Sequence, residues 1–314
     1  MNFQNYCDVI NKSINNHIDE YYSDDKCFAQ CIKFAVKNGK RFRSMITLDI
    51  INTLQDNIIQ LKDDNITNSL VDCSLAIEYA HNASLIMDDL PCMDNAMTRR
   101  DDLSFHRKYN EAISMLATVG LTFMSTQIIS KSIKNLSNLN YFEENESHRI
   151  GFFLLTELAE WMGLNGLSRG QLYDLSLINP DINIKLNSDY SNVDIEDIFD
   201  KKTGSLFEFS FIIGWVVGKG KFEHISEIRK LAYDFGKLYQ ILDDFEDYSD
   251  DILKENKSFN YIIRVGLDKA LKRVNSLIEE IKLSLQKHGI YSQFFINLLI
   301  KFESLIGTYK KDIV

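Results

Sequence analysis

Apolar residues recur along this chain at three- and four-residue intervals, separated by short polar stretches. The pattern predicts helices over Cys27 to Val36, Ser69 to Met87, Ala112 to Asn135, Ile150 to Gly163, Ile195 to Trp215, Ser226 to Tyr248 and Lys269 to Gln286. The expected breaks are Gln55 to Asn68, Asn135 to Ser147, and Asn179 to Asp194, the last rich in Asn, Asp and Ser and carrying Pro180. None of these is long or biased enough to be an interdomain linker. With 2 prolines and 14 glycines in 314 residues, long helices are favoured over a sheet with many turns. The expectation is an all-α fold, one domain over residues 1–314, with roughly ten or more helices.

Composition narrows the class. An apolar fraction of 45% and a charged fraction of 25% are those of a soluble globular protein. The net charge of -10 argues against broad nucleic-acid binding, which needs a basic face. Cys7, Cys27, Cys31, Cys73 and Cys92 are odd in number and form no CxxC pair, so they read as reduced thiols in a cytoplasmic setting. The polar start, Met1 to Glu20, has neither the apolar core of a secretion signal nor an Arg-rich transit pattern. No run of eighteen apolar residues occurs, so no membrane span is expected.

Two acid clusters stand out: Asp88-Asp89-Leu90-Pro91-Cys92-Met93-Asp94 and Asp243-Asp244-Phe245-Glu246-Asp247. Each follows an apolar run, Leu85 to Met87 and Tyr239 to Leu242. Several bare carboxylates cannot share a partly buried site without cations. Hard oxygen ligands suit Mg²⁺, which keeps some waters and takes one or two carboxylates plus substrate phosphates. Asp243 and Asp247 are one helical turn apart and share a face, with Asp244 beside them. Asp88 and Asp94 would stand about 120° out of register on a regular helix. Pro91 is expected to break the turn and bring Asp94 back beside Asp88. A solvated acidic face explains either cluster alone about as well as a metal does, but two such clusters favour the metal.

Basic residues occur where a diphosphate would need them. Gly39-Lys40-Arg41-Phe42-Arg43 offers three cations, with Lys40 and Arg43 spaced i,i+3. Arg99-Arg100 follows the first acid cluster, and arginine can grip phosphate oxygens bidentately. Lys202-Thr203-Gly204 adds an ammonium and a hydroxyl at an expected helix irregularity. His81, seven residues before Asp88, falls on nearly the same helix face. Alone, a lysine–arginine pair is usually a solubilising feature and a single histidine usually a core residue.

Taken in order, GKRFRS, EYAHNASLIMDDLPCMDNAMTRR, the GQLYD of Gly170 to Asp174, KKTG and YQILDDFED resemble the trans-isoprenyl diphosphate synthases, the farnesyl and geranylgeranyl diphosphate synthase family. The resemblance runs from Gly39 to Lys257. It implies an isoprenoid synthase-type helical bundle around a central cavity, usually a homodimer, using Mg²⁺ at three ions per site. By motif position, Asp88, Asp89, Asp94, Asp243, Asp244 and Asp247 would hold the metal. Arg99, Lys202, Thr203, Gln240 and Lys257 would bind the allylic diphosphate, and Lys40, Arg43, His81 and Arg100 isopentenyl diphosphate. The implied reaction ionises the allylic C–O bond, lets the isopentenyl double bond attack the cation, and ends with loss of a proton. Product length in this family follows the bulk beneath the first acid cluster. Ala83 and Ser84 are small there, which implies an open channel and geranylgeranyl diphosphate, with a deeper floor expected from Tyr79, Phe123 or Met124; farnesyl diphosphate is the alternative.

The chain departs from the family pattern in several places. The usual RRGKPT becomes Arg99-Arg100-Asp101-Asp102-Leu103-Ser104, and FGE becomes Tyr109-Asn110-Glu111. The Asp that follows an Ala-Gly pair is absent near Ala117 to Gly120, and the segment from Asp247 to Glu255-Asn256-Lys257-Ser258 is short. A terpene cyclase would replace the second DDxxD with an Asn/Ser/Glu triad and dispense with Lys40, Arg43 and His81. A non-catalytic regulatory subunit would be expected to lose one acid cluster, and this chain keeps both.

Overall fold

A computed structural model describes residues 3–21, 26–61, 64–178, 181, 186, 195–253 and 260–313. Its elements in chain order are α1 (Phe3–Tyr21), α2 (Lys26–Ala35), α3 (Phe42–Leu54), α4 (Ile58–Leu61), α5 (Asn65–Asp88), β1 (Thr98–Arg99), β2 (Asp102–Leu103), α6 (Phe105–Lys108), α7 (Glu111–Asn138) and α8 (Glu144–Met162). There follow α9 (Leu167–Ile178), α10 (Ile195–Phe199), a π-helical turn (Asp200–Gly204), α11 (Ser205–Val217), a 3₁₀ turn (Phe222–His224), α12 (Ile225–Glu246), α13 (Tyr248–Leu253), α14 (Tyr261–Val265), α15 (Leu267–Lys287) and α16 (Gln293–Ile313). The fold is all-α, as expected, and the described strands form one two-residue hairpin.

Contacts divide the chain into two compact units. The first comprises Met1–Ala159 with Ile212–Lys221, the second Glu160–Phe211 with Phe222–Val314. In the first unit α1, α3 and α7 all pack against α5. Asp64 caps α5 by accepting from the Thr67 amide at 2.9 Å, and Asn110 caps α7 by accepting from the Ile113 amide at 2.9 Å. The second unit packs α9, α10, α12 and the π turn together, with α15 and α16 also against α12.

Seven predicted helices are present with ends shifted by a few residues, and Ile195 to Trp215 is interrupted by the π turn. Helix α3 escapes the periodicity because Ser44 through Asn52 are all buried, which erases the polar face. Its polar groups are satisfied inside: Ser44 donates to the Ser74 carbonyl at 2.8 Å, and Asp49 accepts from Tyr6 at 2.9 Å. Of the expected break at 179–194, only Asp181 and Leu186 are described, and both are helical. All five cysteines are unbridged. Among the described residues, α7 is the one helix long and apolar enough, by length and composition, to cross a membrane.

Candidate active site

In the first unit, α5 runs through Asp88 and the chain then doubles back. The Asp94 amide donates to the Asp88 carbonyl at 2.9 Å and the Asn95 amide to the Leu90 carbonyl at 3.0 Å. This is the reversal expected at Pro91, with Asn95 taking the left-handed backbone (φ 49) that closes it. Asp88 is half-buried and Asp94 exposed. Asp89 is 1% exposed and faces the other way, onto Arg99, whose Nε and Nη2 donate to its Oδ1 at 3.1 and 2.5 Å.

Arg99 ends β1 and Arg100 begins the turn of the hairpin, where Arg100 (φ 54) and Asp101 (φ 64) both take positive φ. That turn sends the two arginines apart. Arg100 donates to Asn82 Oδ1 at 3.2 Å and to the Lys37 carbonyl at 3.3 Å, and burial lowers its pKa. The guanidinium also packs over Gly39, where an added Cβ would lie 3.2 Å from Arg100 Nη1 and 2.7 Å from Arg41 Nη1.

Arg41 is buried and structural. It pairs with Glu78 at 2.9 Å and donates to Asn11 and to the Val36 carbonyl. The i,i+3 helical relation expected of Lys40 and Arg43 does not hold, because α3 starts at Phe42 and Arg41 before it has φ 55. Lys40 is exposed and Arg43 half-buried at the helix start. His81 lies on α5, with a buried Nδ1 that has no hydrogen-bond partner. Burial first, then the charges of Arg43, Arg100, Arg99 and Arg41, hold it well below the usual histidine range, so the imidazole is neutral among four guanidinium groups.

Ala83 and Ser84 are both buried on α5, and Ser84 donates to the His81 carbonyl at 2.9 Å. Of the residues expected beneath them, Tyr79 (0%) and Met124 (4%) are buried, but Phe123 is 68% exposed. Phe123 is therefore no floor within this chain: it falls on the outward stripe of α7 with Met115, Leu116 and Val119.

In the second unit the irregularity expected at Lys202-Thr203-Gly204 is the π turn. Thr203 donates to Gln240 Oε1 at 2.8 Å, and Gln240 Nε2 donates to Asp244 Oδ1 at 3.0 Å. The contact depends on a close crossing, since a Cβ on Gly236 would meet Gly204 Cα at 3.0 Å. Lys202 is held by Asp174. Gln171, beside Gly170 on the same helix, is 3% exposed, with no hydrogen-bond partner for its Nε2. Asp243 is half-buried and Asp247 exposed, one helical turn apart. Asp244 is again the exception. It is 8% exposed and accepts from the Tyr261 amide at 2.7 Å, while burial pushes its pKa up to about 6. Lys257 lies outside the described residues.

The two clusters thus share a pattern: Asp89 and Asp244 are buried against protein partners, while Asp88 and Asp243 are half-buried and Asp94 and Asp247 exposed. A wholly carboxylate donor set suits Mg²⁺. The GQLYD motif carried no assigned role for Asp174 or Gln171, and nothing in the sequence pointed to the Arg41–Glu78 pair. The four-residue spacing of Gly170 and Asp174 on one helix face was the available signal for the first.

A family model described as polyprenyl synthetase matches residues 25–264. The chain belongs to the polyprenyl synthetase family. It is 29% identical over 283 residues to a farnesyl diphosphate synthase of Buchnera aphidicola subsp. Acyrthosiphon pisum, covering 88% of this chain and 91% of the relative. It is 30% identical over 310 residues to a farnesyl diphosphate synthase of Buchnera aphidicola subsp. Schizaphis graminum, covering 95% and 96%. Among solved structures, an FPP/GFPP synthase from Zymomonas mobilis superposes with a TM-score of 0.76 at 22% identity, covering 96% of this chain and 99% of that one. The last likeness concerns the fold alone: the all-α architecture of this chain is shared with that synthase.

Proposed function

We propose that this protein condenses isopentenyl diphosphate head-to-tail with the allylic diphosphates dimethylallyl, geranyl and farnesyl, giving geranylgeranyl diphosphate. The observation that carries the reading is the set of arginine charges acting on a neutral His81, those of Arg43, Arg100 and Arg99 foremost, on the helix that ends in the first acid cluster. Such a concentration of guanidinium groups is a ready diphosphate cradle.

In this reading Lys40, Arg43, His81 and Arg100 hold isopentenyl diphosphate. His81, being neutral, offers one N–H donor without adding a charge. Arg99, Lys202, Thr203 and Gln240 grip the allylic diphosphate, joined by Lys257. Asp88, Asp94, Asp243 and Asp247 would hold the metal together with Asp89 and Asp244, whose carboxylates here accept from Arg99 and from Gln240 and the Tyr261 amide. Bound Mg²⁺, three ions per site, supplies charge neutralisation to the diphosphate. The chain's own cations add to that stabilisation of the departing group. The isopentenyl double bond then attacks the allylic carbon, and a proton is lost to the released diphosphate.

The small side chains of Ala83 and Ser84 support the twenty-carbon product. Farnesyl diphosphate is the second reading, favoured by the names of the Buchnera relatives. The assembly proposed is a homodimer of single-domain subunits in the cytoplasm. The apolar stripe of Met115, Leu116, Val119 and Phe123, 56–68% exposed, offers the second copy a face. Product analysis tests the whole reading. Purified protein, Mg²⁺, labelled isopentenyl diphosphate and each allylic starter should yield a twenty-carbon alcohol after dephosphorylation. A fifteen-carbon alcohol would select the farnesyl reading, and no elongation with any starter would overturn both.

A further inference from the structure

Far from the acid clusters, three side chains of the second unit converge around one small volume. His224 ends the 3₁₀ turn and caps α12, Glu227 lies in the first turn of α12, and His288 caps the C-terminus of α15. One ligand atom from each falls within 4.8 Å of the others. His288 Nε2 is 3.0 Å from Glu227 Oε2, His224 Nδ1 is 4.0 Å from Glu227 Oε1, and the two imidazole rings stand edge to face with centroids 5.2 Å apart.

We infer that His224, Glu227 and His288 form a binding site for a borderline transition-metal dication of the zinc class. Zinc bonds of about 2.0–2.1 Å place tetrahedral ligand atoms roughly 3.3–3.4 Å apart. One edge of the triangle is already at that scale, and the longer ones close by side-chain rotation. His288, with its side chain 3% exposed, is the fixed member; His224 (34%) and Glu227 (41%) have room to move. Two imidazoles and one carboxylate leave a fourth position for water. Glu223 Oε1 lies 3.6 Å from His224 Nε2, the ring nitrogen turned away from Glu227, where it can orient the imidazole. Imidazole nitrogen is not what Mg²⁺ selects, so this donor set is chemically distinct from the aspartate clusters. The C-terminal end of α15 favours a cation through its helix dipole and the N-terminal end of α12 opposes it, so the side-chain donors carry the site.

Lys287 also reaches Glu227 Oε2. Its ammonium therefore occupies an oxygen that the metal needs, and the two compete. A bound ion would tie the start of α12 to the end of α15, stabilising the helix whose other end, about 30 Å away by helical rise, carries Asp243 and Asp247. This inference is independent of the proposed activity.

The test uses the full chain, stripped with chelator and titrated with Co²⁺ in the absence of any diphosphate. One equivalent should give the visible absorption of tetrahedral Co²⁺, and excess Zn²⁺ should abolish it. His224→Ala, at a half-exposed position, should weaken binding roughly tenfold or more. Lys287→Met should tighten it several-fold, and Asp243→Asn should leave the signal in place. Absence of tetrahedral absorption at one equivalent, or absorption unaffected by His224→Ala or lost with Asp243→Asn, would overturn the site.

Discussion

Arg99 closes on Asp89 with Nη2 2.5 Å from Oδ1, so the middle carboxylate of the first acid cluster is neutralised by the arginine that follows it eleven positions after Asp88 in the hairpin. The carboxylate is 2% exposed and the guanidinium 40% exposed, so the pair is half in water. Removing the arginine leaves a buried charge, a loss of several kcal/mol in a dry site, reduced here by solvent screening to about 1–3 kcal/mol. Arg99→Ala is therefore expected to lower stability in chemical denaturation. Mg²⁺ should recover more of that stability in the variant than in the parent, because the ion takes over the neutralisation. An equal Mg²⁺ response in both proteins would argue that Asp89 is not part of the metal-linked cluster.

Gly170 crosses the π turn so closely that an added Cβ would lie 2.5 Å from the Lys202 amide nitrogen. The obstacle is backbone, which cannot swing aside. Gly170→Ala is expected to cost about 1–3 kcal/mol and to shift Lys202 and Thr203. If those residues grip the allylic diphosphate, KM for the allylic substrate should rise several-fold while KM for isopentenyl diphosphate changes little. A matched rise in both constants would count against the assignment.

These two sites show what the sequence made legible. The acid clusters, the reversal at Pro91 and the irregularity at Lys202 to Gly204 all follow from local chemistry: carboxylate spacing, a missing amide, a glycine within a helix. Two departures from the family pattern also make sense in backbone terms. Asp101 (φ 64) and Asn110 (φ 121) stand where the family has glycine, and both adopt positive φ. Asp and Asn tolerate such backbone better than other side chains, so the hairpin and the α7 cap survive. What stayed hidden was tertiary. Nothing in GKRFRS distinguishes the buried Arg41, paired with Glu78, from Lys40 and Arg43 beside it. Helix α3, buried on every side, has no period to find.

His17 predicts a pH dependence of stability. Its Nδ1 shares a 2.8 Å hydrogen bond with Tyr79 Oη, and burial, aided by Lys131, lowers its pKa to about 4, with Glu20 opposing. The unfolded chain takes up that proton near pH 6.5. The contribution is therefore complete above about pH 6.5 and is lost as pH falls towards 4, by up to about 3 kcal/mol. Asp72, which lines a cavity together with His17 and whose pKa is raised by burial, acts in the opposite sense. The comparison must therefore be between proteins. His17→Asn places an amide where Nδ1 was and removes the titration. The gap in unfolding free energy between parent and variant should shrink from pH 7 to pH 5; a constant gap would remove His17 as the source.

Ala83 offers the sharpest test of product length. It is fully buried on α5, about 7.5 Å of helical rise before Asp88, with Ser84 buried beside it. Tyr79, one turn further down, is pinned by its hydrogen bond to His17, and Met124 is buried on α7. A tyrosine at position 83 would put a ring where a growing prenyl tail passes if the channel runs beneath the acid cluster. Overpacking should cost about 1–3 kcal/mol, so circular dichroism and thermal unfolding must first show a folded protein. Given that, Ala83→Tyr is expected to shift product from the twenty-carbon to the fifteen-carbon alcohol, with the rate of the first condensation largely retained. The smaller Ala83→Ser change should leave chain length as it was. An unchanged product distribution in folded Ala83→Tyr would mean that the tail runs elsewhere, and that the limit is set by residues other than the small pair on α5.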